Sequence, residues 1–223
     1  MIRADHRKWA RLLFNPYLNY LLKKDFSAFY LVNKFPQIPD AKGLIVTPNH
    51  FSWWDGFFID YLMRKKSKRK LFIMMLEDQL ERFWFFKKLG AFSINPGKTV
   101  SISGTVNYAR SIIENPDNYI VIYPQGEIEP FEKNDLNIKP GLKIFIKNLQ
   151  NETFVFPAAF KIQYGEDRKP FVAARFGDLI ETEKILQDFG FFEKSFRDNL
   201  NKLQEAVFEK SFTENLFNKN NTL

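Results

Sequence analysis

The sequence predicts a single α/β domain: a mixed, mostly parallel sheet flanked by helices. Short apolar runs alternate with helix-length stretches along most of the chain, which is the order of strand and helix that builds such a sheet. With 45% hydrophobic residues over 223 positions, there is enough apolar material for one sizeable core. The unusual polar turns fall at the carboxyl ends of the apolar runs, where open α/β sheets hold their ligands.

Residues 1–24 set Arg3, Arg7, Lys8, Arg11, Lys23 and Lys24 among Ile2, Trp9, Leu12, Leu13, Phe14, Tyr17, Leu18, Leu21 and Leu22. Pro16 suits the first turn of a helix, so two short helices joined at Asn15 and Pro16 are expected. This segment reads as an interfacial membrane anchor, or as a helical pair packed on the domain with a solvated basic face. The domain proper is expected over 25–217, with 218–223 a frayed polar tail.

Within the domain, 26–32 alternates loosely like an edge strand, and 33–43, with Pro36 and Pro39, is a loop. A strand at 44–46 leads through a turn to a helix ending near Met63. Residues 64–70 carry six cations in seven positions, read as an exposed loop or as a landing pad for an acidic carrier protein, CoA phosphates or anionic lipid. The run 71–76 suits a central strand. Residues 77–89 read as a helix whose Leu80, Phe83, Trp84 and Phe86 line the core. A helix over 100–114 stops near Pro116, and 120–122 is a strand. A polar loop at 130–140 precedes a helix at 141–149, and 154–160 with 171–176 form a hairpin. Phe192, Phe196, Leu200, Leu203, Val207 and Phe208 recur at helical spacing, so the last fifth reads as one amphipathic helix.

Composition excludes several classes. The chain has no cysteine, hence no disulfide, no thiolate zinc site and no thiol nucleophile, and with two histidines no metal site is expected. The excess of 33 Lys and Arg over 26 Asp and Glu favours an anionic partner. No recognition helix or aromatic-basic sheet motif accompanies that charge, so nucleic acid is not expected. Gly97-Lys98-Thr99 has no preceding Gly-x-x-x-x-Gly and is no phosphate loop. The 26 Phe exceed what a core requires, so some should face lipid or an acyl chain. No apolar run reaches the roughly 18 residues of a membrane span. The expected place is therefore the cytoplasmic face of a membrane, as a peripheral protein.

The chemistry centres on Thr47-Pro48-Asn49-His50-Phe51-Ser52-Trp53-Trp54-Asp55-Gly56. A histidine at the mouth of a strand-to-helix turn has a carboxylate five positions later at the helix start. Such a carboxylate can bend back onto one imidazole nitrogen, leaving the other to take a proton from a hydroxyl. The plainer reading is that His50 caps the turn and Asp55 complements the helix dipole.

Asn49, His50, Ser52, Asp55 and Gly56 together resemble the N-H-x-S-x-x-D-G signature of the glycerolipid acyltransferases, the family of lysophosphatidic acid acyltransferase. Further blocks follow in that family's order. Gly90-Ala91-Phe92-Ser93-Ile94-Asn95-Pro96 is similar to the second block, and Tyr123-Pro124-Gln125-Gly126-Glu127 to the third, Phe-Pro-Glu-Gly-Thr-Arg-Ser. Lys139-Pro140-Gly141 is similar to the Lys-x-Gly that follows, and Val155-Phe156-Pro157 to the fourth. The likeness covers roughly residues 40–180.

The resemblance implies acyl transfer from a thioester to a lipid acceptor, with acyl-CoA or acyl-carrier protein as co-substrate and no bound cofactor. His50 would be the base and Asp55 its orienting partner. Asn49, Ser52, Lys98, Pro124, Gln125, Gly126, Glu127 and Lys139 are the expected substrate-binding residues. Ser52, two places from His50 in a turn, is expected to hydrogen-bond locally rather than act as nucleophile. Backbone amides near Gly126, or at the helix start after Trp54, are the expected oxyanion donors. The expected partners are a membrane surface with anionic lipid, a lipid acceptor and an acyl carrier protein.

This chain departs from the family where the acceptor's phosphate would be held. Pro96 and Ile128 stand at the two arginine positions, so a bidentate fork is missing. Lys98 and Lys139 could substitute as point charges, or the acceptor is not a phosphate monoester, and Glu127 and Glu129 would then suit an amine or a sugar. The alternative to an enzyme is a catalytically silent lipid- or carrier-binding module on the same fold.

Overall fold

All six residues of β2 (Gly43–Pro48) and all four of β5 (Asn118–Val121) are buried. Runs that are apolar on both faces belong in the middle of a sheet with helices on both sides. The structure, a computed structural model, describes residues 1–133 and 136–218. Its sheet runs β4 (Ala91–Ile94), β3 (Lys70–Leu76), β5, β2, β6 (Thr153–Gln163), β7 (Phe171–Phe176), β1 (Phe29–Leu31), β9 (Glu214–Asn215), with β8 (Ile180–Glu181) on β6. From β4 to β6 every neighbour is parallel, and β6 and β7 form the antiparallel hairpin. In register, Val46 faces Val121 on one side and Phe156 on the other.

Alternation along the strands sends side chains to two cores. One lies beneath α1 (Lys8–Asp25) and α2 (Asp55–Lys66) and contains Leu18, Leu22, Phe29, Phe58 and Phe160. The other lies beneath α4 (Thr99–Ile113), α5 (Leu142–Ile146), α6 (Thr182–Gln187) and α7 (Phe189–Phe208), where Ile45, Ile120 and Val155 meet Ile113, Phe192 and Leu203. Because the strands from β4 to β6 are parallel, their carboxyl ends share one edge of the sheet, and that edge receives the site.

Several expectations change. The N-terminal segment is one helix, not two: Pro16 lies inside α1 on its exposed side, while Phe14, Leu18 and Leu22 on the buried side hold the helix through it. The run at 71–76 is next to the edge rather than central. Residues 77–89 are not a single helix: α3 (Glu77–Arg82) stops at Phe83, and a separate 3-10 helix covers Trp84–Leu89. Of the supposed core stripe Leu80 alone is buried, and Trp84 is exposed. Gly90 closes that helix at φ 113, where a Cβ would stand 2.3 Å from the Leu71 carbonyl. β4, β8, β9 and α6 carried no periodicity long enough to read, and α5 is shorter than expected. The expected tail lies outside the described residues apart from Asn218.

The basic run is spent on structure. Arg64 bonds Asp60, Lys65 the Leu216 carbonyl and Lys66 Glu214, Arg69 takes the Pro39 and Lys42 carbonyls, and Lys70 lies over Phe72. This occupies five of the six cations of the supposed landing pad.

Helix α1 is seated by charge as well as by packing. Arg11 donates to the buried Asp60 of α2 at 2.7 Å and to the Leu89 carbonyl at 2.5 Å, while Arg64 holds the other Asp60 oxygen at 3.1 Å. Removing one partner of a buried pair leaves an uncompensated charge. Arg11→Ala should destabilise the fold by about 2–4 kcal/mol in urea unfolding, toward the low end because Arg64 stays.

Candidate active site

The turn between β2 and α2 is built by Asp55. Its carboxylate is fully buried, and Oδ2 accepts from Nδ1 of His50 at 2.8 Å, the Phe51 amide at 2.8 Å and the Ser52 amide at 3.0 Å. A carboxylate only accepts, so Nδ1 carries the hydrogen and Nε2 keeps its lone pair. The imidazole is 24% exposed, and Nε2 makes no hydrogen bond among the described residues. Burial raises the Asp55 pKa, against the opposing bonds from His50, Ser52 and Phe51. Its second oxygen, Oδ1, is buried with no partner among the described residues.

The His50 backbone is clamped from the loop after β5. Its amide donates to Gln125 Oε1 at 2.6 Å, and its carbonyl accepts from the Glu129 amide at 2.9 Å. Gln125 in turn donates to Glu129 Oε2 at 3.1 Å. Glu129 is buried, bound to Lys133 and to the Asn137 amide, and the Lys133 ammonium holds its carboxyl below the usual range. Tyr123 stacks on the imidazole, ring centroids 4.3 Å apart and planes 26° apart.

The expected substrate-binding residues divide. Asn49 is buried and brackets the Phe160 backbone, accepting from its amide at 2.8 Å and donating to its carbonyl at 3.0 Å, so it pins β2 to β6 rather than facing a ligand. Ser52 Oγ accepts from the Trp54 amide at 3.1 Å, a bond within the turn. Gln125 acts on the His50 backbone. Gly126 turns the chain at φ 74 beneath Lys139, whose amide donates to the Pro124 carbonyl at 2.9 Å and whose ammonium lies 3.4 Å from Glu127. Pro124, Gln125, Gly126, Glu127 and Lys139 thus form one loop cluster beside His50. Lys98 is not brought there: it is exposed at the start of α4 beyond β4, three strand spacings or roughly 14 Å from β2.

The expected oxyanion donors divide. The Gly126 amide is turned in to the Tyr123 carbonyl and the amides of Trp54 and Asp55 are taken by Ser52, while the Gly56 amide in the first turn of α2 makes no internal bond among the described residues. The amides of Glu127 and Ile128, in the exposed part of the loop, make no internal bond among the described residues. Glu129 is consumed internally and offers nothing to an amine. Sequence reasoning missed Tyr123, whose stacking partner lies 73 positions away.

The lysines of this edge are matched by glutamates: Lys133 by Glu129, Lys139 by Glu127 and Lys161 by Glu132 at 3.3 Å. Among the described residues no three His, Asp or Glu gather as metal ligands. A polar cavity of about 450 Å³ around Arg175, Asp178, Lys184 and Asn199 lies on the α7 face, away from His50. An apolar groove of about 440 Å³ between α1 and the 3-10 helix reaches the turn through Trp53 and Phe57.

Comparison with known proteins bears on the family and the fold. The Acyltransferase family model matches residues 31–161, more than half of the chain. Among solved structures, the 1-acyl-sn-glycerophosphate (LPA) acyltransferase PlsC from Thermotoga maritima is similar in fold. The match covers 92% of this chain and 82% of that one, with a TM-score of 0.55 and 14% identity. No curated protein sequence matches.

A carboxyl whose pKa is raised by the fold binds its proton more tightly folded than unfolded. Its contribution to stability is therefore present below the unfolded pKa and lost as pH rises through the folded one. Asp55→Asn should melt at or above the wild-type temperature at pH 8, with the gap closing toward pH 4 in thermal scans.

Proposed function

Because the chain belongs to the Acyltransferase family, we propose that it moves a fatty acyl group from an acyl thioester, carried on CoA or on an acyl carrier protein, to a hydroxyl or amine of a lipid acceptor. The observation that carries this reading is the His50–Asp55 pair with Nε2 open at the carboxyl edge of the sheet. Nε2 takes the proton of the acceptor hydroxyl as its oxygen attacks the thioester carbonyl. Collapse of the tetrahedral intermediate expels the thiolate, which takes the proton back from His50. Asp55 stabilises the imidazolium in between. With no cysteine, and Ser52 held by the Trp54 amide, attack by the acceptor itself is the simplest route. The amides of Glu127 and Ile128, or that of Gly56 at the start of α2, are the backbone donors proposed to meet the oxyanion.

The apolar groove supports a lipid substrate. Trp9, Leu12, Leu13, Tyr17 and Tyr20 form an exposed apolar face on α1, beside the exposed Trp53 and Trp84. Arg7, Lys8, Lys23 and Lys24 flank it, exposed. This combination suits a helix lying at the headgroup boundary of an anionic membrane, with the protein peripheral on its cytoplasmic face. Among the described residues no helix is long and apolar enough to cross a membrane. The glutamate-matched lysines around the site favour an acceptor headgroup of little net charge over a phosphate monoester.

His50→Ala should lower thiol release from acyl-CoA by about 10²–10⁴-fold with a competent acceptor. A fully active His50→Ala protein ends the proposal, and binding without turnover across acceptors would favour a silent module. Neutral or zwitterionic lysolipids should be used ahead of lysophosphatidic acid. In vesicle sedimentation, Leu12→Ser with Tyr20→Ser should weaken binding to anionic vesicles by roughly tenfold or more while thermal stability stays unchanged.

A further inference from the structure

Two buried polar atoms beside the turn lack a partner among the described residues: Oδ1 of Asp55 and the hydroxyl of Tyr123. Buried polar atoms without a bond are rare in folded proteins and costly when they occur. Both belong to the surroundings of the first turn of α2. Tyr123 follows β5, its ring lies against the imidazole, and its hydroxyl reaches beneath the first turn of α2. There it is 3.8 Å from where a Cβ on Gly56, the residue after Asp55, would stand.

We propose that Tyr123 is a positioning residue of the His50–Asp55 pair: its hydroxyl donates to Asp55 Oδ1 across one buried water and favours the ionised carboxylate, while its ring fixes the plane of the imidazole. This rests on the reading of His50 and Asp55 as an acid–base pair. Asp55 loses its remaining unmet acceptor, and His50 faces a carboxylate that stays charged further into acid.

The other titratable groups around the pair do not compete. Burial, and then the charge of Asp55, push the Tyr123 hydroxyl well above the usual phenol range, so it remains a donor. Tyr119, behind it on β5, is likewise pushed well above that range by burial. Asp60, further along α2, is tied to Arg11 and Arg64. Asp55 is left as the carboxyl that Tyr123 can influence.

Tyr123→Phe keeps the stacked ring and removes the donor, while Tyr123→Leu removes both. In Tyr123→Phe the ¹³C titration midpoint of the Asp55 carboxyl, assigned by its loss in Asp55→Asn, should rise by about one pH unit. The acid limb of kcat/KM should move with it. At pH 7, kcat should fall about tenfold with KM for acyl-CoA unchanged, and Tyr123→Leu should fall further. A Tyr123→Phe protein with an unmoved Asp55 midpoint overturns the inference, because a hydroxyl that merely packs would leave that midpoint where it was. If the wild-type protein turns over no thioester, the acyl-transfer reading fails and the carboxyl titration still decides the role of Tyr123.

Discussion

Oδ2 of Asp55 accepts three hydrogen bonds, from the His50 ring and from the amides of Phe51 and Ser52, and the geometry of the turn follows from that convergence. Stripping a carboxylate of water costs several kcal/mol unless its lone pairs are met. The chain between β2 and α2 meets those of Oδ2 by bending two consecutive amides inward, and this bend leaves the imidazole at the open edge of the sheet. The carboxylate is thus both the organiser of the loop and the partner of the His50 ring. Its burial is tolerable in the fold because it serves both.

The surroundings make this arrangement stiff. β2 is flanked by parallel partners on both sides, and Asn49 extends its pairing with β6 by binding the Phe160 backbone at two points. The loop after β5 grips the His50 amide through Gln125 and its carbonyl through the Glu129 amide. Glu129 is therefore a strut, with Lys133 neutralising it. A net charge of +7 reads from the sequence as a basic surface. In the fold much of it is tied down: Arg11, Arg64, Lys66 and Lys88 meet carboxylates, and Arg69 meets backbone carbonyls.

The sequence revealed what local pattern records. The strands at 44–46 and 120–122, the hairpin of 154–160 and 171–176, and the long amphipathic helix near the end all rest on apolar spacing, and each has its counterpart in β2, β5, β6, β7 and α7. The pairing of His50 with Asp55 was legible because both partners sit in one ten-residue turn. What escaped depends on distant contacts. Pro16 looked like a boundary, but it faces outward on a helix held by Phe14 and Leu18 beneath. No glycine or proline marks the break at Phe83. β9 is two residues long and exists because β1 offers it an edge. Asn49 looked like a ligand group until Phe160, 111 residues away, claimed it.

Helix α2 joins the chemistry to the surface. Asp55 begins it and orients the His50 ring, and Asp60, five residues on or about 7.5 Å along the axis, receives Arg11 of α1. The exposed aromatic face of α1 is thereby tied to the helix that carries Asp55. If α1 rests on a leaflet, the depth of His50 relative to the headgroups is fixed by helix packing and one ion pair, not by a linker. A base held at constant depth meets acceptor hydroxyls at one level of the interface. On the proposed function, that would select lipids by where their hydroxyl sits, a form of recognition that needs no arginine fork.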